Sequence, residues 1–325
     1  MKQIVVDKNE AGQRLDKLLT KYLNKAPKSF IYKMLRKKNI TLNGKKADGS
    51  EKIQLDDEIK LFLSDETIQN FSETFETTLV EDSLDVVYED NNILIVNKPV
   101  GLLSQKAAAD DISLVEHVIS YLVQHKRITE AELQTFKPGI CNRLDRNTSG
   151  LVVAGKTLIG LQVMSELFRN RSLDKYYLCI VAGKVMKKQK IDGYLVKDER
   201  KNQVRIDKNP IEDSDMIQTE YEPIISNDSF TLLKVKLITG KTHQIRAHLS
   251  SISHPIIGDS KYGDRKVNEF FRKKFGLNHQ LLHSYEIKFP MLKEEFELVS
   301  NQTYTCSIPN LFQRVVDYLF PNIVI

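Results

Sequence analysis

The segment Gly139-Ile140-Cys141-Asn142-Arg143-Leu144-Asp145-Arg146-Asn147-Thr148-Ser149-Gly150, running into Leu151-Val152-Val153-Ala154, decides how the rest of the chain is read. It is a polar loop that ends at Ser149-Gly150, followed by four apolar residues that read as a buried strand. Asp145 lies between Arg143 and Arg146. Two neighbouring cations would hold such a carboxylate ionised at neutral pH, and an ionised, positioned carboxylate can act as a nucleophile or a general base. Taken alone, an Asp between two Arg reads as a structural salt bridge. Cys141 is close by but has no dedicated base in the sequence.

The 325 residues suffice for one large domain and a small one. A hydrophobic fraction of 41% and a charged fraction of 28% are those of a globular protein, neither disordered nor membrane-embedded. No apolar run has the length of a signal peptide or a membrane span, so a cytoplasmic protein is expected. Cys141, Cys179 and Cys306 are widely spaced and odd in number, as reduced thiols would be. The net charge of +5 is unevenly distributed: residues 1 to 60 carry 15 Lys/Arg against 8 Asp/Glu, and the remainder carries 33 against 35. Between Arg14 and Lys46 there are 11 basic residues and one acid, Asp16, an imbalance suited to a phosphate-binding surface and too one-sided for a merely solvated face.

Leu15, Leu18, Leu19 and Tyr22 have helical spacing over residues 14 to 23, and Pro27 is placed to start a second helix through about Lys38. On that helix Ser29, Lys33, Arg36 and Lys37 share one side and Phe30, Ile31, Met34 and Leu35 the other. Ile40 to Ala47 reads as a hairpin on the Asn43-Gly44 turn. From Leu61 to Asn97 there are nine acids and no Lys or Arg; 63–84 reads as an acidic linker between a domain at 1–62 and a second at 85–325. In the second, Val86-Val87-Tyr88 and Ile93-Leu94-Ile95-Val96 are expected to pair as strands, and Ser113 with Glu116 forms a capping box. Strands at 151–154, 176–182 and 231–238 alternate with helices near 157–169 and 242–252, the latter capped by Thr242. The fold class is α+β, with a mixed, largely antiparallel sheet and flanking helices, plus a small N-terminal α/β domain.

Two patterns are set aside. Gly150 to Thr157 fits G-x-x-x-x-G-K-T, but its central residues are strand-like, where a phosphate loop must be flexible, and Thr157 serves better as a helix cap. His243, His248 and His254 do not share one helical face and have no paired cysteines, which argues against a metal site; hydrogen bonds to RNA or backbone suit them better.

Asn142 to Gly150 resembles the H-R-L-D-R-x-T-S-G signature of the RluA/RluC-type RNA pseudouridine synthases. Three more segments match that family in order: Tyr88 to Leu102; Lys175-Tyr176-Tyr177-Leu178; and Gly240-Lys241-Thr242-His243-Gln244-Ile245-Arg246-Ala247-His248, followed by His254-Pro255-Ile256-Ile257-Gly258-Asp259 and Tyr262-Gly263. The resemblance covers roughly residues 85 to 290. The N-terminal segment is similar to the alpha-L RNA-binding domain first described in a small-subunit ribosomal protein. The family resemblance implies an isomerase that breaks the ribose C1′–uracil N1 bond and rejoins the base through C5, with no cofactor, nucleotide or metal. It implies catalytic roles for Asp145, Tyr177 and Arg246, with the arginine paired to the carboxylate. Tyr176 and Tyr177 face opposite sides of a strand and periodicity does not choose between them; the family pattern selects Tyr177, to stack on a flipped base or assist proton removal from C5. Asp145 could attack C1′ or C6, or remove a ribose proton. Asn142 departs from the usual His. The expected RNA-binding residues are Lys28, Ser29, Lys33, Arg36, Lys37, Lys38 and Lys45, with Arg143 and Arg146 beside the site. The implied partner is RNA, large-subunit rRNA or a ribosome assembly intermediate, bound by a monomer away from membranes. The alternatives are a noncatalytic RNA-binding or ribosome-assembly factor that keeps the fold, and a P-loop NTPase resting only on the Walker-like octet.

Overall fold

The computed structural model describes residues 1–73, 80, 83–198, 203–321 and 323. Near the N-terminus, helices Leu15–Tyr22 and Lys28–Arg36 pack through Leu15, Leu18, Leu19, Ile31 and Leu35, all buried as their spacing requires. They lie against a four-stranded antiparallel sheet in the order Lys2–Val5, Glu58–Leu61, Ile40–Leu42, Lys45–Lys46. Asn43 and Gly44 both have positive φ (49° and 71°), as a tight two-residue hairpin demands.

The acidic stretch expected as a linker from 63 opens instead with a helix, Asp65–Phe71. The Ser64 side chain caps it, accepting from the Thr67 amide, and Phe71 packs on Phe30 with ring centroids 4.5 Å apart. The sparse periodicity hid the helix, because only Ile68 and Phe71 touch the first core. The rest of the expected linker includes 74–79, 81 and 82, which lie outside the described residues.

The second part of the chain is built on an eleven-stranded sheet. Its path runs Gln203–Asp207, Gln189–Asp198, Asp215–Ser226, Phe230–Leu237, Asp174–Ala182, Leu282–Lys288, Ser149–Gly155, Ile93–Lys98, Val86–Glu89. Gly139–Ile140 and Thr303–Thr305 pair off this path. Every pairing is antiparallel except that of Ser149–Gly155 with Leu282–Lys288. The central strands Ile93–Lys98, Ser149–Gly155 and Asp174–Ala182 are buried on both faces, which is why their apolar runs are continuous, whereas Asp215–Ser226 and Gln189–Asp198 alternate. Val152, Ala154, Tyr177, Cys179, Leu233 and Val235 face one core, covered by helices Leu114–Gln124 and Gln244–Ser251. Leu151, Val153, Leu178, Ile180 and Leu232 face the other side, covered by Leu158–Arg169, Arg265–Phe275 and Asn310–Leu319. The Ser113–Glu116 capping box is present.

This arrangement brings the loop before Ser149–Gly155, the start of Asp174–Ala182 and the helix Gln244–Ser251 to one cavity of about 960 Å³.

Candidate active site

The loop carrying Asp145 is fastened at almost every residue. Asn142 uses both ends of its amide: Oδ1 accepts from the Val153 amide at 2.9 Å and Nδ2 donates to the Leu151 carbonyl at 3.3 Å. The residue that departs from the family pattern thus ties the loop to the strand that follows it. Ser104 clamps Leu144, accepting from its amide at 3.0 Å and donating to its carbonyl at 2.7 Å. The Arg146 carbonyl accepts from the Gly101 amide and from the ammonium of Lys98, which is fully buried and also donates to the carbonyls of Pro99 and Leu102. Burial pushes the Lys98 pKa down to about 8, with Asp145 opposing the shift. At the loop's end Gly150 has φ +113°, and a Cβ there would lie 2.2 Å from the Ser284 carbonyl oxygen. Only glycine permits the close parallel pairing that seats Ser284 beside it.

Asp145 is one-quarter exposed, and its Oδ2 accepts from Arg246 Nη1 at 2.8 Å. The same guanidinium donates through Nε and Nη2 to both oxygens of Asp259, at 2.7 and 3.0 Å. Asp259 is completely buried and also accepts from the amides of Lys261 and Tyr262. Burial works against the Arg246 charge, but the two carboxylates outweigh it and its pKa is raised. The fork of Arg246 is therefore fixed by Asp259, leaving one arm for Asp145. Asp145 lines the cavity, and its Oδ1 takes no hydrogen bond from the described residues.

Thr242 does not cap the arginine's helix. His243 occupies the N-cap position in a left-handed conformation, φ 54°, and Gln244 Oε1 accepts from the Lys241 amide and Thr239 hydroxyl. This turn brings His243 Nε2 to 3.8 Å from Asp145 Oδ2, while Nδ1 meets the Tyr262 hydroxyl at 2.9 Å. Burial lowers the His243 pKa, with Asp145 opposing and Arg246 adding to the effect. His248 and His254 are spent on Thr219 and the Ala182 carbonyl, and no metal-binding cluster occurs among the described residues.

Tyr177 lines the cavity and Tyr176 the opposite face, where Lys234 sits 4.6 Å over its ring. Burial pushes the Tyr177 pKa up to about 12, against a hydrogen bond with Ser284. The Tyr177 side chain is thus on the cavity side of the strand, where the two roles that the family resemblance implies for it, stacking on a flipped base and assisting proton removal, would be exercised.

Arg143 and Arg146 do not pair with Asp145, as their adjacency in sequence suggested. Both are exposed at the cavity rim, with Arg146 Nε donating to the Gly101 carbonyl at 3.0 Å. Lys28, Ser29, Lys33, Arg36, Lys37, Lys38 and Lys45 are all exposed on the N-terminal unit, without an ion-pair partner among the described residues. The Walker-like octet is the buried strand Ser149–Gly155 and a helix start: Lys156 pairs with Glu89, and Thr157 accepts from the Gly160 amide. Sequence reasoning missed Lys98, Ser104, His243 and Asp259 as parts of the site. Three of them stand inside the quoted family segments, but nothing in local spacing shows that they converge on Asp145.

Asp145 is the one acidic side chain among the described residues lining the cavity, against nine Lys and Arg. A site of that sign, with one carboxylate oxygen held and the other free, belongs to an enzyme acting on a polyanion. Residues 92–251 match the RNA pseudouridylate synthase family, and residues 13–59 the S4 domain. An uncharacterized RNA pseudouridine synthase of Mycoplasma genitalium is 30% identical over 303 residues, covering 92% of this chain and 93% of its own length. Ribosomal large subunit pseudouridine synthase C of Vibrio vulnificus is 29% identical over 303 residues, covering 91% of each chain. The structure of human RNA pseudouridylate synthase domain containing 4 shares the fold, with TM-score 0.59 and 23% identity over 72% of this chain and 92% of that one. The chain belongs to the RNA pseudouridine synthases and carries an N-terminal S4 domain. Among the described residues, no helix is long and apolar enough to cross a membrane.

Proposed function

We propose that this synthase isomerises specific uridines of large-subunit ribosomal RNA and that Asp145 carries the reaction. The observation that bears most weight is the Asp145–Arg246 contact of 2.8 Å, made by a guanidinium that buried Asp259 has already oriented. Such a pair keeps the carboxylate in place while its free oxygen faces a uridine turned into the cavity, a base-flipping arrangement that suits loops and disrupted stems. Tyr177, on the sheet floor of the same cavity, offers its ring to the flipped base. Support for a ribosomal substrate comes from the Vibrio relatives' names and from the S4 domain, whose basic face gives a second anchor on a large RNA. A ribosomal substrate also implies a cytoplasmic enzyme. We take the protein as a monomer that requires no cofactor.

The test has two parts. Pseudouridine mapping of rRNA from cells with and without the protein should show sites that vanish in its absence; loss of sites only from transfer RNA would refute the ribosomal assignment. Asp145→Asn should abolish tritium release from C5-labelled uridine in that rRNA while leaving binding within about twofold, since the amide is isosteric but neither nucleophile nor base. Activity within a few fold of wild type would remove Asp145 from the mechanism.

A further inference from the structure

Lys175 stands on the cavity's floor, two residues before Tyr177 on the strand Asp174–Ala182, and alternation puts both side chains on the same face. It is 8% exposed, yet its ammonium makes no hydrogen bond or ion pair with any described residue. Its nearest acid in sequence, Asp174, points to the other face and pairs with Lys236 at 2.8 Å. The Phe168 ring, 5.9 Å from Nζ, gives only a weak cation–π contact. Burial lowers the Lys175 pKa and the charge of Arg171, on the same cavity wall, lowers it further. The ammonium lies beside Gly240, which lines the same cavity: a Cβ built there would stand in ordinary contact with Nζ, at 3.8 Å. Asp174 opposes the lowering from the other face but is paired with Lys236, and a desolvated cation so weakly countered is unfavourable in the free protein. It becomes favourable when a ligand brings the anion.

We propose that Lys175 anchors a phosphodiester subsite inside the catalytic cavity, taking the phosphate of the linkage next to the uridine under reaction. Uracil is neutral and ribose is neutral, so the anion that RNA can deliver here is its backbone phosphate. Successive same-face positions on a strand are about 7 Å apart, which lets Lys175 hold the backbone while Tyr177 meets the base. Arg171 adds a second positive charge beside the subsite. The inference rests on the reading of this cavity as the uridine site of an RNA enzyme.

The experiment uses the full chain and an rRNA fragment carrying the mapped uridine. Lys175→Gln should raise KM by about tenfold to a hundredfold, as expected for removal of one charge-assisted hydrogen bond, with kcat changed by less than about threefold. Replacing the flanking linkages one at a time by neutral methylphosphonate identifies the partner. At one linkage the wild type should lose the same factor and Lys175→Gln should lose nothing more. Additive losses at every linkage, an unchanged KM, or a fall in kcat at constant KM would each overturn the subsite. Lys175→Met gives a control for folding: without RNA its melting temperature should equal or exceed that of the wild type, since an unpaired buried charge has been removed, whereas a structural lysine would leave it lower. If the wild type makes no pseudouridine in the fragment, the reading of function fails instead. The dissociation constants of the same RNAs, measured in the Asp145→Asn background, would then still decide the subsite.

Discussion

Replacing Arg246 by Lys keeps the charge but removes the geometry, and the structure says what should follow. The guanidinium makes three charge-assisted contacts, at 2.7 and 3.0 Å to Asp259 and 2.8 Å to Asp145. An ammonium on the same backbone site cannot span both carboxylates. Asp259 is completely buried and Asp145 is not, so the lysine will be drawn to Asp259, where an unpaired charge is the more costly. Asp145 then loses one charge-assisted hydrogen bond, worth about 1.5 to 3 kcal/mol. If the interaction is fully expressed in the transition state, kcat should fall by roughly tenfold to a hundredfold. Tritium release at saturating RNA measures this, with binding to the same RNA as the control. A lysine variant with wild-type kcat would show that Asp145 needs no orientation from this side chain. Asp259→Asn separates orientation from stability. It leaves Arg246 paired with Asp145 but unfixed at Nε and Nη2, so unfolding free energy should fall by about 3 kcal/mol and kcat should fall as well. If the folded asparagine variant keeps full kcat, Asp259 supports the fold alone.

Other expectations test different parts of the molecule. His283, buried against Ser149 and Cys306, has its pKa pushed down to about 4 by burial. The unfolded chain therefore binds a proton between its ordinary value near 6.5 and 4 that the folded protein refuses; stability is complete above that window and should fall by about 3 kcal/mol through it, whereas His283→Asn should flatten the dependence in urea unfolding series at pH 7, 5.5 and 4.5. Tyr177→Phe keeps the stacking ring and should retain kcat within about tenfold, with Tyr177→Ala far lower; an inactive phenylalanine variant would show that the hydroxyl is required. Reversing Lys33, Arg36 and Lys37 to Glu should weaken rRNA binding and flatten its salt dependence by about 0.9 in log–log slope for each phosphate no longer neutralised, and an unchanged slope would make this face merely solvated.

The sequence was most legible where local pattern is sufficient: the hairpin at Asn43-Gly44, the Ser113–Glu116 capping box and the buried strand after Gly150 all follow from residues a few positions apart. It misled where the deciding partner is distant. Asp145 stands between two arginines, yet its cation is Arg246, 101 residues along the chain. Thr242 has the chemistry of a cap, but the left-handed turn at His243 places that imidazole at the site instead. The helix Asp65–Phe71 was hidden because two apolar contacts suffice to hold it to a core already formed. Asn142 shows the opposite case: a departure from the family pattern whose local consequence, two hydrogen bonds to the next strand, was visible only once that strand's register was known.

Net charge was the least transferable signal. Beyond residue 60 the chain has more acids than bases, and from composition alone the basic character belongs to the N-terminal segment. The fold reverses this at the cavity by sorting the two signs: acids such as Glu220, Glu286 and Asp174 pair with lysines on the far side of the sheet, while nine Lys and Arg and a single carboxylate line the site. A polyanion approaching that face meets a positive field although the domain as a whole is not positive. The same sorting isolates Asp145. Its anionic charge would repel RNA if it stood unscreened, but one of its oxygens is held by the Arg246 guanidinium at 2.8 Å and cations surround it on the cavity wall. Affinity and reactivity therefore depend on the same arrangement of charge: weakening the cationic wall should reduce binding, and weakening the Arg246–Asp259 clamp should reduce turnover.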